Sequence, residues 1–388
     1  MTSLENEQPS ARPDKAISSG PRRVPPKMDK YFRAMAKAEA SDLHLRPGMP
    51  PHIRIRTQIT ATKAPPLARA ETEAMAQELM AEKHRRIFED FGSVDVAYQV
   101  EGSDRFRINI YRQRGDVAMS IRRVTAQIPD FESLHLPPMI AKVAEERQGL
   151  VLLSGATGSG KSTTIAAMLE HINQTRACHI VTIEDPIESL FVNKKALVSQ
   201  REIGIDVANF ELALKYLMRE DPDVVLIGEM RDHDTFQAAL QAAETGHLVF
   251  GTVHASTAPQ TISRVLDLFS ADMREALRLT LALNLRAIIC QKLLPCLVQE
   301  IDRVPAVEIL LTNPTVRQFL IEGREGELPD IIRSHERDGM LTFTRSLLDL
   351  IEKNYLDPKL AYEVAPNADE LKMLMKGISS SRTGLLGR

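Results

Sequence analysis

The segment at residues 155–162, with the sequence GATGSGKS, most constrains what this chain can fold into. Two glycines with four residues between them precede a lysine and a serine, the pattern of a phosphate-binding loop. An apolar run leads into the segment and a helix-forming run follows it. A chance match in an ordinary loop would lack this context. The pattern therefore predicts a nucleotide-binding loop between a strand and a helix.

Phosphate chemistry explains each residue type in this loop. Glycines let the backbone wrap so that N–H groups point at phosphate oxygens, and the helix that follows adds its positive N-terminal end. Lys161 is predicted to reach the β- and γ-phosphates of ATP, and the Ser162 hydroxyl to ligate Mg²⁺. The predicted nucleotide-binding residues are Gly155, Ala156, Thr157, Gly158, Ser159, Gly160, Lys161, Ser162 and Thr163.

The composition sets bounds on partners and compartment. The chain has 388 residues, 49 basic and 52 acidic, and its net charge of −3 gives no overall signal for nucleic acid or an anionic membrane. Its three cysteines form no CxxC motif, so neither a disulfide framework nor a zinc site is indicated. No signal-peptide core or membrane-length apolar run occurs. We expect a cytoplasmic enzyme that binds no nucleic acid.

The N-terminal third is predicted to be a disordered tail followed by a small α+β domain. Residues 1–27 are rich in Ser, Pro and charge, and the basic Arg22, Arg23 and Lys27 are more simply solvated than bound to a partner. Residues 28–124 are predicted to form an antiparallel sheet with helices. The expected elements are a helix from residue 28, a hairpin over 41–56, a helix over 69–89, and strands at 94–100, 105–112 and 117–124.

The remaining chain is predicted to form an α/β domain. Residues 125–138 contain three prolines and fit an interdomain linker. In residues 139–295, apolar strands alternate with helices, a pattern typical of a parallel sheet covered on both faces. The expected strands are 149–154, 179–183, 196–200, 224–228 and 248–253. A helix over 267–290, a helical subdomain over 296–376 and a flexible tail over 377–388 complete the prediction.

Acidic residues and a histidine follow three of the predicted strands. Ligands of open parallel sheets bind beyond the carboxyl ends of the strands, so these groups are candidates for catalysis beside Lys161. Glu229 is predicted to orient the attacking water, Glu184 to support the metal or its water shell, and His254 to sense the γ-phosphate. The alternative for the acidic groups is helix capping, as expected for Asp232 or Asp234.

Four further residues near these strand ends are weaker candidates. Asp185 and Glu188 lie in the same acidic segment as Glu184, and Arg231 follows Glu229. His247 lies about 23 Å from His254 if the strand between them is continuous, and on its opposite face. The two histidines therefore cannot share one metal ion, and His247 could equally be structural.

The strand predicted over residues 105–112 carries basic and aromatic residues that could suggest nucleic-acid binding. Strand periodicity argues against this, because Arg105, Arg107 and Asn109 share one face with a single aromatic, Tyr111. Phe106, Ile108 and Ile110 lie on the opposite face of the strand and are predicted to face the hydrophobic core. The polar face is either solvated or offers its arginines to a phosphate, since guanidinium groups bind phosphate oxygens in pairs.

Together these motifs resemble the secretion ATPases of type IV pilus and type II secretion systems, and most of all the pilus retraction ATPases that drive twitching motility. The resemblance covers about residues 28–376. It is carried by SDLH at 41–44, RFR at 105–107, GATGSGKST at 155–163, TIEDPIE at 182–188, IGEMRD at 227–232, TGHLVFGTVH at 245–254 and GMLTF at 339–343.

This resemblance implies a PAS-like N-terminal domain, a RecA-like ATPase domain and a hexameric ring that uses ATP and Mg²⁺. It also implies that arginines of the N-terminal domain or the linker close on the nucleotide, here Arg105, Arg107, Arg112 and Arg122. The implied partners are an inner-membrane pilus platform protein and, in some systems, a paralogous retraction ATPase. The absence of a tetracysteine motif differs from pilus extension ATPases and most type II secretion ATPases.

Two departures from the family pattern leave alternatives open. The C-terminal helix important to retraction is present only in degraded form at residues 315–321, and the N-terminal tail is long. The chain could be the principal retraction motor, an accessory paralogue, or a type II secretion or pilus assembly ATPase. A DNA-dependent RecA-like motor and a low-turnover, nucleotide-bound regulatory or assembly subunit are the other candidates.

Overall fold

The computed structural model describes residues 27–55, 58–100, 104–125 and 127–377. The chain divides into two compact units, Met1–Arg123 and Val124–Arg388. Each unit has its own hydrophobic core among the described residues. The predicted tail at residues 1–27 lies almost wholly outside the described residues, as does nearly all of the predicted tail at 377–388.

The first unit is an α+β domain with a six-stranded sheet in the order β3-β2-β1-β6-β5-β4. The strand pairs β1–β2, β1–β6, β2–β3 and β4–β5 are antiparallel. The prediction of a small α+β domain with an antiparallel sheet is confirmed. The elements are α1 (Asp29–Lys37), β1 (Asp42–Leu45), β2 (His52–Ile55), β3 (Gln58–Ala61), α2 (Arg69–Leu79), α3 (Glu82–Phe91), β4 (Ser93–Gln99), β5 (Arg105–Gln113) and β6 (Asp116–Val124).

Strand alternation builds the core of this unit as the sequence predicts. Phe106, Ile108 and Ile110 of β5 are buried, whereas the arginines between them are partly exposed. Phe32 of α1 is also fully buried and stacks on Phe106, with ring centroids 4.4 Å apart. One face of β5 therefore lies in the core, and the other presents its polar residues.

Two details of the first unit differ from the prediction. The single helix predicted over residues 69–89 is wrong, because the extended backbone at Met80 and Ala81 separates α2 from α3. Strand β3 was not predicted. It is only four residues long, and all of its residues are exposed. The predicted end of β2 at Arg56 and the turn at residues 102–103 lie outside the described residues.

The second unit is built on a seven-stranded sheet in the order β13-β12-β7-β11-β10-β8-β9. All of its pairings are parallel except β12–β13. The prediction of a RecA-like domain with a mostly parallel sheet is confirmed. Its elements are α4 (Met139–Ala144), β7 (Gly149–Ser154), α5 (Lys161–Thr175), β8 (His179–Glu184), β9 (Leu197–Glu202), α6 (Phe210–Leu217), β10 (Val224–Ile227), α7 (His233–Glu244), β11 (Leu248–Val253), α8 (Ala258–Asp267), α9 (Arg274–Asn284), β12 (Leu285–Pro295), β13 (Arg303–Leu311), α10 (Pro314–Ile321), α11 (Leu328–Ser334), α12 (Phe343–Glu352), α13 (Pro358–Val364) and α14 (Ala368–Met375).

Helices cover both faces of this sheet. Strands β7, β10 and β11 are buried at every position. Burial on both faces explains why their sequences are mainly apolar and do not alternate with polar residues. Ile165 and Met168 of α5 pack on one face, while Phe236 and Leu240 of α7 belong to the core on the other. Phe131 of the predicted linker also packs against the cluster that contains α5.

The prediction of a helix over residues 267–290 and of helices alone beyond it is wrong. Helix α9 ends at Asn284, and Leu285–Pro295 continues as β12, which pairs with β7 and β13. The segment contains the β-branched Ile288 and Ile289, which are fully buried between these strands. A short buried apolar run carries no periodicity that separates strand from helix. No helix within the described residues is long and apolar enough to cross a membrane.

Candidate nucleotide-binding site

The loop between β7 and α5 has the backbone conformation of a phosphate cradle. Gly155, Gly158 and Gly160 adopt φ values of 152°, 78° and 90°, which residues with a side chain rarely adopt. A Cβ atom at Gly155 would lie 2.4 Å from the Ser159 hydroxyl oxygen. The two glycines that define the motif are thus required by backbone geometry as well as by access for phosphate.

Two polar side chains of the loop lack strong partners. The Lys161 ammonium donates to the carbonyl oxygens of Gly155 at 2.8 Å and Ala156 at 3.0 Å. Burial lowers the pKa of Lys161, against an opposing effect of Glu229 and Glu188. The Ser159 hydroxyl is buried and has no hydrogen-bond partner among the described residues. A phosphate would supply oxygen acceptors to both groups, so the loop fits the predicted ligand.

Glu229 and His254 meet at adjacent strand ends. Because β10 and β11 are parallel neighbours, the residues that follow them lie at the same edge of the sheet. His254 Nε2 lies 3.0 Å from Glu229 Oε1, and Arg231 also pairs with the Glu229 carboxylate. The Arg231 guanidinium, more than His254, holds the pKa of Glu229 below its usual range. Glu229 is therefore a carboxylate in this arrangement.

Glu184 and Glu188 occupy different environments although the sequence places them in one acidic segment. Glu184 is 9% exposed, and burial raises its pKa to about 7 despite hydrogen bonds from Thr182 and Gln200. The Glu188 carboxylate is exposed, and its charge acts on Lys161. Of the two, Glu188 is the exposed carboxylate whose charge acts on Lys161, and Glu184 is the buried one.

A cleft of about 530 Å³ brings most of the predicted site residues together. Gly155 and Ala156 form the start of the loop without lining the cleft. His247 does not belong to it. Its Nδ1 lies 2.9 Å from the carbonyl oxygen of Ala242 before β11, at the opposite end of the strand from His254. The predicted residues that line the cleft are Thr157, Gly158, Ser159, Gly160, Lys161, Ser162, Thr163, Glu184, Asp185, Glu188, Glu229, Arg231 and His254.

Helix capping accounts for one of the acidic residues near the cleft. Asp232 caps α7 by accepting a hydrogen bond from the Thr235 backbone N–H at 2.9 Å. Asp234 instead contacts His233 at 2.8 Å and caps nothing. Of the two caps that the sequence allowed, the structure therefore selects Asp232.

The four predicted arginine sensors lie in different surroundings within the first unit. Arg105 and Arg107 are on the polar face of β5. Arg112 stands over the ring of Phe88 in α3, with 5.0 Å from its guanidinium carbon to the ring centroid. Arg122 pairs with Asp42 at 2.9 Å. Local contacts thus already explain Arg112 and Arg122, whereas Arg107 is partly exposed on the polar face of β5, where a phosphate could reach it.

Sequence reasoning missed two residues near the loop. Gln291 of β12 lies against both motif glycines and accepts a hydrogen bond from the Thr164 hydroxyl at 2.8 Å. Arg303, at the start of β13, lines the cleft. An amide directly after the apolar run at residues 287–290 was the available signal for Gln291, but this signal is lost once the segment is assigned to a helix.

The residues present also bear on the predicted Mg²⁺. The described residues hold no cluster of three or more His, Cys, Asp or Glu side chains that could bind a metal ion alone. The Ser162 hydroxyl is exposed in the first turn of α5 and lines the cleft, where Glu188 is also exposed. This set suits an ion that takes one or two protein ligands and completes its shell with phosphate oxygens and water, as Mg²⁺ does.

Comparison with known proteins agrees with these motifs. The family model described as "Type II/IV secretion system protein" matches residues 19–327. The chain belongs to this family.

Relatives within the type II/IV secretion family include pilus ATPases. The type IV pilus retraction ATPase PilT of Pseudomonas aeruginosa is 40% identical over 332 residues, which are 85% of this chain and 95% of that protein. The type IV pilus ATPase PilU of the same organism is 35% identical over 348 residues, 90% of this chain and 91% of that protein. The predicted likeness to retraction ATPases is confirmed.

A solved structure of a family member shows the same architecture. The crystal structure of the pilus retraction motor PilT with bound ADP superposes with a TM-score of 0.82 at 42% identity. The matched region covers 88% of this chain and 98% of the PilT chain. The assignment of this chain to a family of secretion and pilus ATPases thus rests on both sequence and fold.

Proposed function

We propose that this protein is an ATP-hydrolysing motor that drives type IV pilus retraction as a hexameric ring. The observation that carries the proposal is the convergence of Lys161, Glu188, Glu229 and His254 on one cleft beside the phosphate loop. A protein that only binds nucleotide needs the loop alone. Carboxylates and a histidine facing the phosphate end are what hydrolysis requires in addition.

The side chains of this cleft have separable roles in the proposed reaction. The loop N–H groups and Lys161 bind the phosphates and stabilise the charge that develops during transfer. Glu229 orients the attacking water once His254 or Arg231 releases it, and His254 senses the γ-phosphate. Mg²⁺ would be held by Ser162 and would supply charge neutralisation at the phosphates.

The metal-supporting role passes from Glu184 to Glu188 in this proposal. Glu184 is buried with a pKa of about 7, so near neutral pH it carries a full negative charge only part of the time. Glu188 faces the lysine from an exposed position in the same cleft. An exposed carboxylate in the cleft can accept a hydrogen bond from a water ligand of Mg²⁺ and so order it. Glu184 then supports the turn that carries Glu188.

The proposed ring acts on an inner-membrane pilus platform protein from the cytoplasmic side. ATP-driven movement of the two units relative to one another would be transmitted to that partner. Arginines of the first unit would complete the nucleotide site. Arg105 and Arg107 are stronger candidates for this role than Arg112 and Arg122. These points rest on membership of the family and on the names of the relatives.

One experiment tests the central proposal. In a strain lacking the gene, wild type should restore pilus retraction, and Glu229→Gln should not. Purified Glu229→Gln should bind ADP within about threefold of wild type and lose at least 100-fold in the rate of ATP hydrolysis. Normal retraction or hydrolysis by this variant would remove Glu229 from its role. A manyfold increase in ATPase activity on adding DNA would favour a DNA-dependent motor instead.

The second candidate is an accessory role beside a principal retraction motor. The similarity to PilU over 90% of this chain supports this candidate. The two roles differ in what a second retraction ATPase contributes. A principal motor retracts pili when the paralogous gene is deleted. An accessory motor hydrolyses ATP when purified but restores retraction only when the paralogue is present.

A further inference from the structure

Gln291 is an amide buried within strand β12, directly after a run of apolar residues. It is 3% exposed, and its neighbours Ile288, Ile289 and Cys290 in β12 are fully buried. Burying an amide is unfavourable unless its polar atoms find partners. The side chain therefore needs an explanation that packing of the sheet does not supply.

Three contacts of Gln291 lead to the phosphate loop and the helix that follows it. Its Oε1 accepts a hydrogen bond from the Thr164 hydroxyl, at 2.8 Å, in the first turn of α5. Its Nε2 lies 2.6 Å from where a Cβ of Gly160 would stand, and its carbonyl oxygen 2.5 Å from the same position at Gly155. One residue of β12 thus touches the loop at both motif glycines and at the helix that follows.

This placement fixes the two ends of the loop relative to the sheet. Gly155 and Gly160 stand at the two ends of the loop and both adopt positive φ, as Gly158 does between them, so the shape of the loop depends on these positions. The bond to Thr164 orients the Gln291 amide, which places its N–H₂ group rather than its oxygen against Gly160. An N–H₂ group is compatible with an anion held by the neighbouring loop, and an oxygen is not.

We propose that Gln291 is a positioning residue that holds the phosphate loop in its binding conformation through Thr164 and Gly160. This inference rests on the proposed function, since it assumes that nucleotide binds at the loop. Gln291 acts on the loop and does not touch the reacting atoms. It should therefore govern nucleotide affinity more than the hydrolytic step.

The test compares substitutions that remove one property at a time. Gln291→Met keeps the shape and removes both polar atoms, and Thr164→Val removes the donor hydroxyl at constant shape. Thr164→Ser keeps the donor and serves as the conservative variant. Gln174→Met is the matched control, because Gln174 lies near the other end of α5 and bonds only to Glu170 among the described residues.

We expect Gln291→Met and Thr164→Val each to raise the Kd for ADP and the KM for ATP about tenfold, with kcat within about threefold of wild type. The double variant should lose little more than either single variant, because both remove the same bond. Thr164→Ser and Gln174→Met should bind as wild type does. Gln291→Glu, which keeps an acceptor for Thr164 but adds negative charge at Gly160, should bind ADP more weakly than Gln291→Met.

Thermal unfolding without nucleotide separates positioning from loss of fold. A variant that unfolds at the temperature of wild type but binds ADP weakly supports the proposal. Wild-type affinity in Gln291→Met, additive effects in the double variant, or a loss of kcat at unchanged KM would each overturn it. If wild type itself binds no ADP, the proposed function fails, which is a different result from a wild type that binds and a Gln291→Met variant that binds equally.

Discussion

At the scale of single residues, environment separates side chains that the sequence groups together. Glu184 and Glu188 stand four residues apart in one acidic segment, yet one is buried with a raised pKa and the other is an exposed charge near Lys161. Sequence alone favoured Glu184 because it lies nearest the strand end. In the proposed function, this difference in burial favours Glu188 over Glu184 for supporting the metal.

Substitution of the two acidic residues should therefore give unequal results. We expect Glu188→Gln to lower kcat for ATP hydrolysis at least 100-fold, because it removes a carboxylate that lines the cleft with Lys161. Glu184→Gln should lower kcat less than tenfold. Steady-state hydrolysis with saturating Mg²⁺ and ATP measures both. A more damaging effect of Glu184→Gln would return the metal-supporting role to Glu184.

The buried Glu184 should also make stability depend on pH. Its pKa is raised from 4.5 to about 7, so between these values the folded protein binds this proton more tightly than the unfolded chain. Stability is then lost as pH rises through this window. Above it the penalty is on the order of 3 kcal/mol. Glu184→Gln stays neutral and should avoid this loss.

Thermal unfolding without nucleotide checks this prediction. At pH 5 the wild type and Glu184→Gln should unfold at similar temperatures, whereas at pH 8 the variant should unfold at a higher temperature. Glu363→Gln, at an exposed position, is the matched control and should follow wild type at both values. An equal difference between Glu184→Gln and wild type at pH 5 and pH 8 would contradict the assignment.

At the scale of elements, the site depends on how strands end and helices begin. Parallel strands β8, β10 and β11 deliver their last residues to the same edge as the phosphate loop. Helix α7 begins directly after Glu229 and Arg231, so its cap limits where that segment can lie. The first turn of α7 is therefore coupled to the position of the proposed water-orienting group.

The two aspartates at the start of α7 allow a matched test of this coupling. Asp232→Ala should lower the free energy of unfolding by about 1 kcal/mol, because the Thr235 N–H loses its acceptor. Asp234→Ala should cost less than half as much, since Asp234 caps no backbone group. Urea unfolding followed by circular dichroism measures both. Equal losses would mean that the cap hydrogen bond contributes nothing measurable.

At the scale of the whole molecule, the chain consists of an antiparallel α+β unit and a RecA-like unit, each with its own core. The second unit holds the cleft, and every described residue that lines it comes from residues 157–303. In the proposed motor, the first unit contributes arginines when the ring is assembled. This proposed contribution of the arginines must therefore be tested in the assembled hexamer.

Arg107 and Arg112 provide the test, because they lie on the same strand in different surroundings. Arg107→Gln should lower kcat for ATP hydrolysis roughly 100-fold by removing a cation that stabilises developing charge. Arg112→Gln should leave kcat within about threefold and cost about 0.5–1 kcal/mol of stability through lost contact with Phe88. Light scattering should give the mass of a hexamer for wild type and both variants. A normal kcat for Arg107→Gln in an intact ring would remove it from the site.

The sequence by itself determined the phosphate loop, the strands over residues 149–253 that surround it, and the family. These depend on local patterns: glycines with fixed spacing, alternation in β5, and continuous apolar strands followed by acidic residues. Each pattern is complete within a few residues, so no distant contact is needed to interpret it. Glu229 and His254 could be placed near the loop because parallel strands end at a common edge.

Only the tertiary structure decided which side chains are charged, partnered or buried. Glu184 and Glu188 differ through burial, Arg112 and Arg122 through contacts with Phe88 and Asp42, and none of these contacts is local in sequence. Residues 285–295 form strand β12 because they pair with β7 on one side and β13 on the other. Their apolar run alone does not distinguish a strand from a helix. Gln291 belongs to this strand, and it contacts the phosphate loop because β12 pairs with β7.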